Sequence, residues 1–317
     1  MKNELKNMFT EHWKYLAVNA ACKLNLFDAL EIPMTAKELS EKLSSDERNL
    51  ATLLKALCSI DFLKCTNGKF SLTEKSELLT ENHPESLKYA CMNWAGEHLT
   101  AWQNLDYSIK TGQSAFENLY QSNFFDYLNK HPDKLDNYHK AMFEYARDDY
   151  KTLPDLVDFR KHKSIMDIGG GYGAAINAIK SKYPTIECFL FDLQKVIENV
   201  QIENISKIAG DFFEDIPRLA DAVILSRVLH DWNDEKATSI LQNCYNALPS
   251  NGILYVIENC AEKINDIALL SLSMTLICKS YERTTKEYVS ICEQNGFTFY
   301  SEQQLNQLQT ILKFKKQ

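Results

Sequence analysis

Several features that would assign a chain to a class of protein are missing from these 317 residues. No apolar run reaches the length needed to span a bilayer, and the segment 1–6 has no apolar core of the kind that a signal peptide requires. The nine cysteines include no Cys-x-x-Cys pair, which disfavours a structural zinc site and is typical of reduced thiols. We therefore expect a cytoplasmic protein with no membrane partner.

Positive charge is also scarce. The 35 lysines and arginines are outnumbered by 43 aspartates and glutamates, so the formal net charge is −8. Phosphate backbones and anionic lipids attract basic proteins, and this balance therefore argues against a nucleic-acid partner. Hydrophobic residues at 45% and charged residues at 25% are ordinary for a globular protein, and the length suits two domains.

Residues 1–95 carry the pattern of a small helical domain that contains a hairpin. A set of leucines recurs at helical spacing, and two short strand-like segments flank Asn67 and Gly68, a strong signal for a tight turn. Ser44 and Glu47 have the spacing of a capping box ahead of the leucine helix. Helix, helix and hairpin is the order of a winged helix, which we predict here. The apolar set of the helix is Leu50, Leu53, Leu54, Leu57 and Ile60.

Winged helices often bind DNA, but the charges of this one argue against that function. Residues 35–80 hold seven Lys or Arg and seven Asp or Glu, and the helix that would be the recognition helix is neutral as well. Binding to DNA requires a basic face that neutralises phosphates. We expect the domain to form a homodimer instead, because its apolar helices need cover.

Residues 96–160 are predicted to be helical and are rich in aromatic side chains. Packing between domains accounts for most of these rings, and some of them are candidates for lining a pocket for an aromatic ligand, since ligand pockets are mostly apolar. The aromatic residues are Trp102, Tyr107, Phe116, Tyr120, Phe124, Phe125, Tyr127, Tyr138, Phe143 and Tyr145.

From residue 161 onward, apolar segments of strand length alternate with helical stretches. This alternation predicts an α/β domain with a mostly parallel sheet over residues 161–317. The predicted strands are 164–168, 187–191, 205–209, 222–225, 253–258, 297–301 and 311–314.

A glycine-rich turn, Asp167-Ile-Gly-Gly-Gly-Tyr-Gly173, follows the first of these strands. Glycines let a chain turn sharply and approach a ligand closely. Asp192 ends the next strand, where a carboxylate can accept hydrogen bonds from two ribose hydroxyls. The arrangement predicts a nucleotide site, but Gly169-x-Gly171-x-x-Ala174 also fits the dinucleotide fingerprint. The turn alone therefore leaves NAD and S-adenosylmethionine open.

Further residues favour S-adenosylmethionine. Asp167 precedes the glycines by two positions, and Gly210-Asp211-Phe212-Phe213 follows the third strand. An acid and an aromatic ring at that place suit the amino group and the ring face of adenine.

His230 stands in the string Val228-Leu-His-Asp-Trp-Asn-Asp-Glu235, directly after an apolar strand. Asn233 is a good N-cap, and the two acids after it suit the first turn of a helix. His230 is therefore placed on a strand-to-helix connection, at the edge of an open α/β sheet where ligands bind. Asp231 and Trp232 are expected to be structural, with Trp232 packing ahead of the N-cap.

Together these segments resemble the S-adenosylmethionine-dependent small-molecule O-methyltransferases related to plant caffeic-acid-type and bacterial polyketide-tailoring enzymes. The resemblance covers nearly the whole chain, because that family also has an N-terminal winged-helix dimerisation domain. It implies a winged-helix dimerisation domain (1–95), a helical connector that lines the acceptor pocket (96–160) and a Rossmann-like class I methyltransferase domain (161–317). The matching segments are 167–173, 191–193, 210–213, 225–232 and 281–284.

The resemblance also implies which residues bind the cofactor S-adenosylmethionine. Two glycines would lie beside its methionine part, one acid at its ribose, and an acid with an aromatic ring at its adenine, with one serine as a further polar contact. Plant relatives often have lysine in place of that serine. In the same order these residues are Gly169, Gly171, Asp192, Asp211, Phe212 and Ser226.

By the same resemblance His230 is the general base that accepts the proton of the acceptor hydroxyl, and Glu258 and Glu282 flank or orient it. Histidine suits this role because its pKa lies near working pH, whereas a phenol with a pKa near 10 is a poor nucleophile unaided. No acid cluster resembles a magnesium site, so we expect no metal. The chain departs from the family in having only 23 residues between Glu258 and Glu282 and Ser271 where relatives often have an acid.

Other functions stay open at this point. Relatives on the same fold methylate nitrogen or carbon, or catalyse decarboxylation, hydroxylation or pericyclic steps. A winged-helix regulator that senses a nucleotide-like ligand is disfavoured by the neutral helix, and an NAD-dependent oxidoreductase by the adenine and His-Asp-Trp motifs. The combination of His230 with two glutamates favours methyl transfer to a hydroxyl of a small, aromatic acceptor, which the sequence does not identify.

Overall fold

Residues 1–262 and 267–317 are described by the computed structural model. The chain divides into two units, Met1–Leu99 and Thr100–Gln317, each with its own core.

The first unit has the predicted winged-helix arrangement of helices and an antiparallel hairpin. In the leucine helix, Leu50, Leu54 and Leu57 face the core. Asn67 and Gly68 form the hairpin turn with φ angles of 51° and 77°, the left-handed region that these two residue types tolerate best. The helices are Lys2–Thr10 (α1), His12–Lys23 (α2), Leu26–Ala29 (α3), Ala36–Lys42 (α4), Glu47–Ser59 (α5), Glu74–Glu77 (α6) and Lys88–Trp94 (α7), and the strands are Leu63–Thr66 (β1) and Lys69–Leu72 (β2).

The predicted cap of α5 is wrong. Asp46, not Ser44, is the N-cap, and its side chain accepts the N–H of Asn49 over 2.8 Å. Ser44 lies in the left-handed region, with a φ of 50°, in the turn that precedes the cap. Because Asp is as good an N-cap as Ser, the spacing of Ser44 and Glu47 alone did not decide between them.

A layer of helices precedes the sheet. Phe116 and Phe124 are buried in an apolar cluster with Leu128 and Leu135, so part of the aromatic set forms core, as expected. The helices are Glu97–Trp102 (α8), Leu105–Thr111 (α9), Ala115–Tyr120 (α10), Phe124–Lys130 (α11), Pro132–Asp149 (α12) and Leu153–Leu156 (α13), followed by a short 3-10 turn, Phe159–Lys161.

The sheet of the second unit is mostly parallel, and all seven predicted strands are present. Described strands follow the order β5-β4-β3-β6-β7-β9-β8, in which β9 runs antiparallel to both of its neighbours. The strands are Ser164–Ile168 (β3), Glu187–Asp192 (β4), Ser206–Ala209 (β5), Ala222–Ser226 (β6), Ile253–Asn259 (β7), Phe297–Gln304 (β8) and Gln309–Lys316 (β9). The helices are Ala174–Lys182 (α14), Gln194–Ile197 (α15), Asp234–Ala247 (α16), Ile267–Cys278 (α17) and Thr285–Gln294 (α18), with a 3-10 turn at Leu229–Asp231.

Both faces of this sheet are covered, which explains why its central strands are continuous apolar runs. Ile165 and Ile224 belong to the core on one face, while Met166, Val223 and Leu225 belong to the core on the other. Chain order reverses between β3 and β6, so their carboxyl ends form the crevice where open α/β sheets bind ligands.

A search of the helices in the two described ranges finds none with both the length and the apolar character needed to cross a membrane.

Candidate active site

A cavity of about 330 Å³ lies at the carboxyl ends of β3, β4 and β6, within the second unit. Its size falls in the usual range of small-molecule sites. Seven of the nine predicted site residues line it: Gly169, Gly171, Asp192, Asp211, Phe212, Ser226 and His230. The other two, Glu258 and Glu282, are buried and contact the loop or the ring of His230.

The backbone of the glycine turn has a conformation that lets a ligand approach it closely. Gly169 and Gly171 adopt φ angles of 68° and 57°, in the left-handed region. A Cβ atom on Gly169 would lie 3.0 Å from Val228 Cγ2 and 3.3 Å from the ring of Phe212, so a side chain would push into the wall of the cavity. The turn therefore brings the backbone of β3 directly to the ligand space.

Two buried carboxylates stand beside the turn. Asp192 Oδ2 accepts the N–H of Gly171 over 2.8 Å, and its Oδ1 accepts the N–H of Leu193 over 2.7 Å. Burial raises the pKa of Asp192 to about 6, against the effect of these two hydrogen bonds. Burial, and then the charge of Asp192, raise the pKa of Asp167 to about 7. Asp167 Oδ1 is buried and has no partner among the residues that the structure describes.

The segment after β5 supplies an acid and an aromatic wall. Asp211 Oδ1 accepts the N–H of Phe213 over 2.8 Å, which holds the turn, and Asn243 Nδ2 donates to the Phe212 carbonyl over 2.8 Å. The rings of Phe212 and Phe213 pack edge to face, with centroids 4.8 Å apart. Phe212 is thereby held against Gly169.

Ser226 makes a contact within the protein that the sequence did not indicate. Its hydroxyl donates to the hydroxyl of Tyr150 over 2.6 Å, and both residues line the cavity. Burial raises the pKa of Tyr150, so this hydroxyl stays protonated and available to donate.

These groups fit a nucleoside cofactor with a charged amino-acid end. Asp192 places a carboxylate at the end of β4, Phe212 offers a ring face, and the unpartnered Oδ1 of Asp167 is an acceptor that needs a donor. A ribose and an ammonium group would supply hydrogen-bond donors to the two carboxylates, and an aromatic base would pack on the ring of Phe212.

His230 lies in the 3-10 turn after β6 and is almost fully buried. Its Nδ1 lies 2.9 Å from Glu282 Oε1, while its Nε2 lies 3.7 Å from Asp231 Oδ1. Burial by itself would lower the pKa of His230, but the charges of Glu282, Glu258 and Asp231 outweigh it and raise the pKa to about 10. The ring is therefore held at Nδ1, while its Nε2 lies beside Asp231, which also lines the cavity.

Glu258 contacts the loop rather than the ring. Its Oε1 accepts the backbone N–H groups of Val228 and Leu229, at 3.0 Å and 2.9 Å, and its Oε2 lies 3.9 Å from His230 Nδ1. Burial raises the pKa of Glu258 to about 7. In contrast, although burial opposes it, the charge and hydrogen bond of His230 hold the pKa of Glu282 below its ordinary value.

Three residues that support the histidine were not predicted. Arg283, which is 1% exposed, donates to the carbonyls of Leu229 and Trp232 over 2.9 Å and 2.8 Å and thereby ties down both ends of the 3-10 turn. Asn259 Nδ2 donates to Glu282 Oε1 over 3.3 Å, and Ser271 Oγ accepts the N–H of Glu282 over 3.3 Å. Arg283 lies next to Glu282 in the sequence, which was the available signal.

One wall of the cavity comes from α12, and sequence analysis identified it only in part. Of the ten aromatic residues, Phe125, Tyr138 and Phe143 line the cavity. His139 lines the cavity as well. So do Met142 and Ala146, which lie one and two turns after His139 on the same face of α12. Burial lowers the pKa of His139 to about 4.

Asp231 and Trp232, which were predicted to be structural, also line the cavity. Trp232 packs against Phe125 and Phe213, and Lys236 Nζ lies 4.6 Å from its ring centroid. Asn233 caps α16 as predicted, accepting the N–H of Lys236 over 3.0 Å.

The side chains around His230 have the spacing to hold a cation. One ligand atom each of His230, Glu258 and Glu282 lie within 4.8 Å of one another. That this cluster holds no metal stays a prediction.

Comparison with known proteins identifies both units. An O-methyltransferase dimerisation domain matches residues 7–82, and an O-methyltransferase domain matches residues 102–298. Phenazine O-methyltransferase PhzM of Lysobacter antibioticus is 29% identical, over 92% of this chain and 90% of its own. The 3-amino-4-hydroxybenzoate 4-O-methyltransferase of Streptomyces cremeus is 30% identical, over 90% of this chain and 82% of its own.

Solved structures of related proteins superpose on this chain over almost their whole length. The crystal structure of LaPhzM superposes with a TM-score of 0.94 at 27% identity, covering 100% of this chain and 99% of that one. The O-methyltransferase NcsB1, solved with S-adenosyl-L-homocysteine and 1,4-dihydroxy-2-naphthoic acid, superposes with a TM-score of 0.81 at 25% identity, over 96% of both chains. The glycine turn, the acids after two successive strands and the matched domains lead to one conclusion: the chain belongs to the S-adenosylmethionine-dependent O-methyltransferase family.

Proposed function

We propose that the protein methylates a phenolic hydroxyl on a small aromatic acceptor and that His230 accepts the hydroxyl proton at Nε2. The observation that carries the proposal is the 2.9 Å contact between His230 Nδ1 and Glu282 Oε1. A ring whose Nδ1–H donates to a carboxylate has a basic Nε2, the nitrogen left to face an acceptor. S-adenosylmethionine supplies the electrophilic methyl group.

The acids around His230 raise its pKa against the effect of burial, so the ring is a stronger base than an ordinary histidine. A phenol loses its proton to such a base far more readily than an aliphatic alcohol does, because a phenol ionises near pH 10 and an alcohol is much less acidic. Once protonated, the ring would stay paired with Glu282 at Nδ1, and its Nε2–H would donate to the acceptor oxygen.

The cofactor assignment places each predicted residue at one part of S-adenosylmethionine. Gly169 and Gly171 would border its methionine part, and Asp192 would accept from the ribose hydroxyls. Asp211 and Phe212 would hold the adenine. Ser226 would reach the cofactor only together with Tyr150, because the two hydroxyls are already hydrogen-bonded.

The acceptor would lie against α11 and α12, in the predicted connector 96–160. Phe125, Tyr138 and Phe143 provide the apolar rings that a flat aromatic molecule requires. Relatives whose names specify phenazine or 3-amino-4-hydroxybenzoate support an aromatic acceptor of similar size.

We also propose that the first unit forms a homodimer. Its segment 7–82 matches a dimerisation domain, and α1 and α2 expose an apolar set that one molecule alone leaves uncovered. This set is Leu5, Met8, Phe9 and Trp13. Sedimentation should give a dimer at micromolar concentration, and a combined Phe9→Asp and Trp13→Asp variant should sediment as a monomer. A wild-type monomer would contradict the proposal.

The test of the main proposal is methylation of a panel of small phenols, with S-adenosylhomocysteine and the methyl ether quantified by mass spectrometry. The His230→Ala variant should lower kcat by roughly 10²–10⁴-fold and keep its affinity for S-adenosylhomocysteine in calorimetry. The matched control is His83→Ala, which removes a histidine of the first unit. Loss of cofactor binding in His230→Ala, or full turnover of a weakly acidic phenol, would overturn the role of His230.

A further inference from the structure

Two cysteines of the first unit face each other between α2 and α7. Cys22 and Cys91 are 69 residues apart in the chain, and both are free thiols. The two helices pack against each other, and a hydrogen bond joins the two sulfur atoms. Neither cysteine belongs to the cavity described above, which lies in the second unit.

One face of α2 holds the backbone of Cys91. The Tyr15 hydroxyl and Asn19 Nδ2 both donate to the Cys91 carbonyl, over 2.7 Å and 2.9 Å. Tyr15, Asn19 and Cys22 are spaced by four and then three residues, so their side chains lie along one face of the helix. Because the first two hold the backbone of α7 at this place, the third is brought to the thiol of Cys91.

The two thiols differ in exposure and in how readily they ionise. Cys22 is 1% exposed, inside the apolar core of the unit, whereas Cys91 is half-buried. The hydrogen bond with Cys91, burial and the charge of Cys91 together raise the pKa of Cys22, so Cys22 keeps its proton. A thiol that donates its proton to a second sulfur stabilises the second as a thiolate, the form that reacts. Cys91 is therefore the sulfur that a small oxidant would reach first.

We propose that Cys22 and Cys91 are a redox-active pair, which forms a disulfide on oxidation and thereby cross-links α2 to α7. The oxidant is a small-molecule disulfide such as oxidised glutathione. The Cys91 thiolate attacks one of its sulfurs, forms a mixed disulfide and expels one thiolate. The Cys22 sulfur then attacks the sulfur of Cys91 and expels the second thiolate, which takes the proton of Cys22. The two cysteines are oxidised, and the small disulfide is reduced to two thiols.

The cross-link should stabilise the first unit. Two sulfurs already in hydrogen-bond contact need only a small rotation about their Cα–Cβ bonds to approach the S–S bond length of about 2.05 Å. The bond would close a loop that contains α3, α4, α5 and the hairpin. Closing so long a loop restricts the unfolded chain strongly, so the oxidised protein should resist heat better than the reduced one.

The test is oxidation of the folded, full-length protein by oxidised glutathione, after which the remaining thiols are alkylated and the chain is digested with trypsin. The peptides 15–23 and 89–110 contain one cysteine each, Cys22 and Cys91. Mass spectrometry should show them joined, and dithiothreitol should separate them. The Tm should rise by about 5–10 °C on oxidation and return to its starting value on reduction.

Variants should separate the two steps. Cys22→Ala should stop at the mixed disulfide, so peptide 89–110 should carry glutathione, and the rise in Tm should be lost. Cys91→Ser should leave Cys22 unmodified, because the buried thiol is not reached. The matched control is Cys65→Ser, which removes an exposed thiol of β1 in the same unit and should keep both the joined peptides and the rise in Tm.

Each contrary result is distinct, and the first two require no variant to fold. Oxidised wild-type protein in which 15–23 and 89–110 are not joined would overturn the proposal, and so would glutathione that stays on Cys91. Joined peptides without a rise in Tm would overturn the cross-linking of the helices as a stabilising device. Glutathione on Cys22 in Cys91→Ser would overturn the assignment of Cys91 as the sulfur that reacts first. None of these results depends on the methyl acceptor.

Discussion

Glu282 follows His230 by 52 residues in the chain, yet its Oε1 lies 2.9 Å from Nδ1 of the histidine. The same oxygen accepts from Asn259 Nδ2, and the N–H of Glu282 donates to Ser271 Oγ, so the carboxylate itself is held in place. A fixed carboxylate selects one tautomer of the ring and favours its protonated form. The two residues therefore set both the direction in which His230 accepts a proton and its basicity.

Glu282→Gln should separate these two effects. Glutamine can still accept from Nδ1, but its neutral side chain no longer favours the protonated ring, so the pKa of His230 should fall. We expect kcat to decrease by roughly 10–100-fold, as for loss of a charge-assisted hydrogen bond, and the pH–rate profile to move to lower pH. A profile that stays in place while kcat falls would mean that Glu282 acts on the position of the ring and not on its charge.

Glu258 should matter more for stability than Glu282 does. Its Oε1 accepts two buried backbone N–H groups, so Glu258→Ala leaves both without an acceptor, at a cost of about 1–3 kcal/mol each. Glu258→Gln keeps an acceptor oxygen at the same place and is the matched control. Thermal unfolding should show a clear loss in Tm for the alanine variant and a smaller one for the glutamine variant. Equal losses would show that the charge of Glu258, and not its hydrogen bonds, stabilises the loop.

Activity should rise with pH. The acids around His230 overcome the effect of burial and raise its pKa to about 10, so below that pH the ring is protonated in the free enzyme and cannot accept a proton. For a phenol that ionises near pH 10, kcat/KM should increase by roughly tenfold per pH unit through the neutral range. For a more acidic phenol the plateau should begin near its own pKa, because it arrives already ionised. A flat profile for the weakly acidic phenol would contradict the role of His230.

The sequence predicted what depends on local pattern. The strands of the sheet, the hairpin at Asn67 and Gly68, and the N-cap at Asn233 follow from periodicity and from residue preferences within a few positions. The cap at Asp46 was misassigned because two acceptable caps lie two residues apart. The local sequence pattern therefore predicts which helix or strand forms, but it predicts the residue at which the element begins or ends less accurately.

Contacts between distant segments were beyond the sequence. Nothing near Arg283 shows that its guanidinium would reach the carbonyls of the His230 turn, 54 and 51 residues away. The hydrogen bond between Ser226 and Tyr150, 76 residues apart, depends in the same way on how α12 is placed over the sheet. Tertiary packing decides such pairs, and only residues that match a family motif, such as Glu258 and Glu282, could be assigned to the site beforehand.

Methylation should not require a metal ion, although one ligand atom each of His230, Glu258 and Glu282 lie within 4.8 Å of one another. The protonated ring already supplies positive charge between Glu258 and Glu282, so a divalent cation would have to displace that proton. Activity should be unchanged by EDTA and by subsequent addition of Mg²⁺, Mn²⁺ or Zn²⁺. An EDTA-induced loss that one of these ions restores would show that the cluster is a metal site.

S-adenosylhomocysteine should stabilise the protein against heat, whereas NAD should not. A ligand at a hundredfold excess over its Kd adds about 2.7 kcal/mol to the free energy of unfolding. Asp192→Ala should remove most of this shift, because the carboxylate both supports Gly171 and is proposed to accept from the ribose. Asp192→Asn keeps an acceptor for the N–H of Gly171, so a comparable loss in that variant would assign the effect to the ribose. Asp215→Ala, an exposed acid outside the cavity, should bind as the wild type does. Undiminished binding by Asp192→Ala would remove Asp192 from the cofactor site.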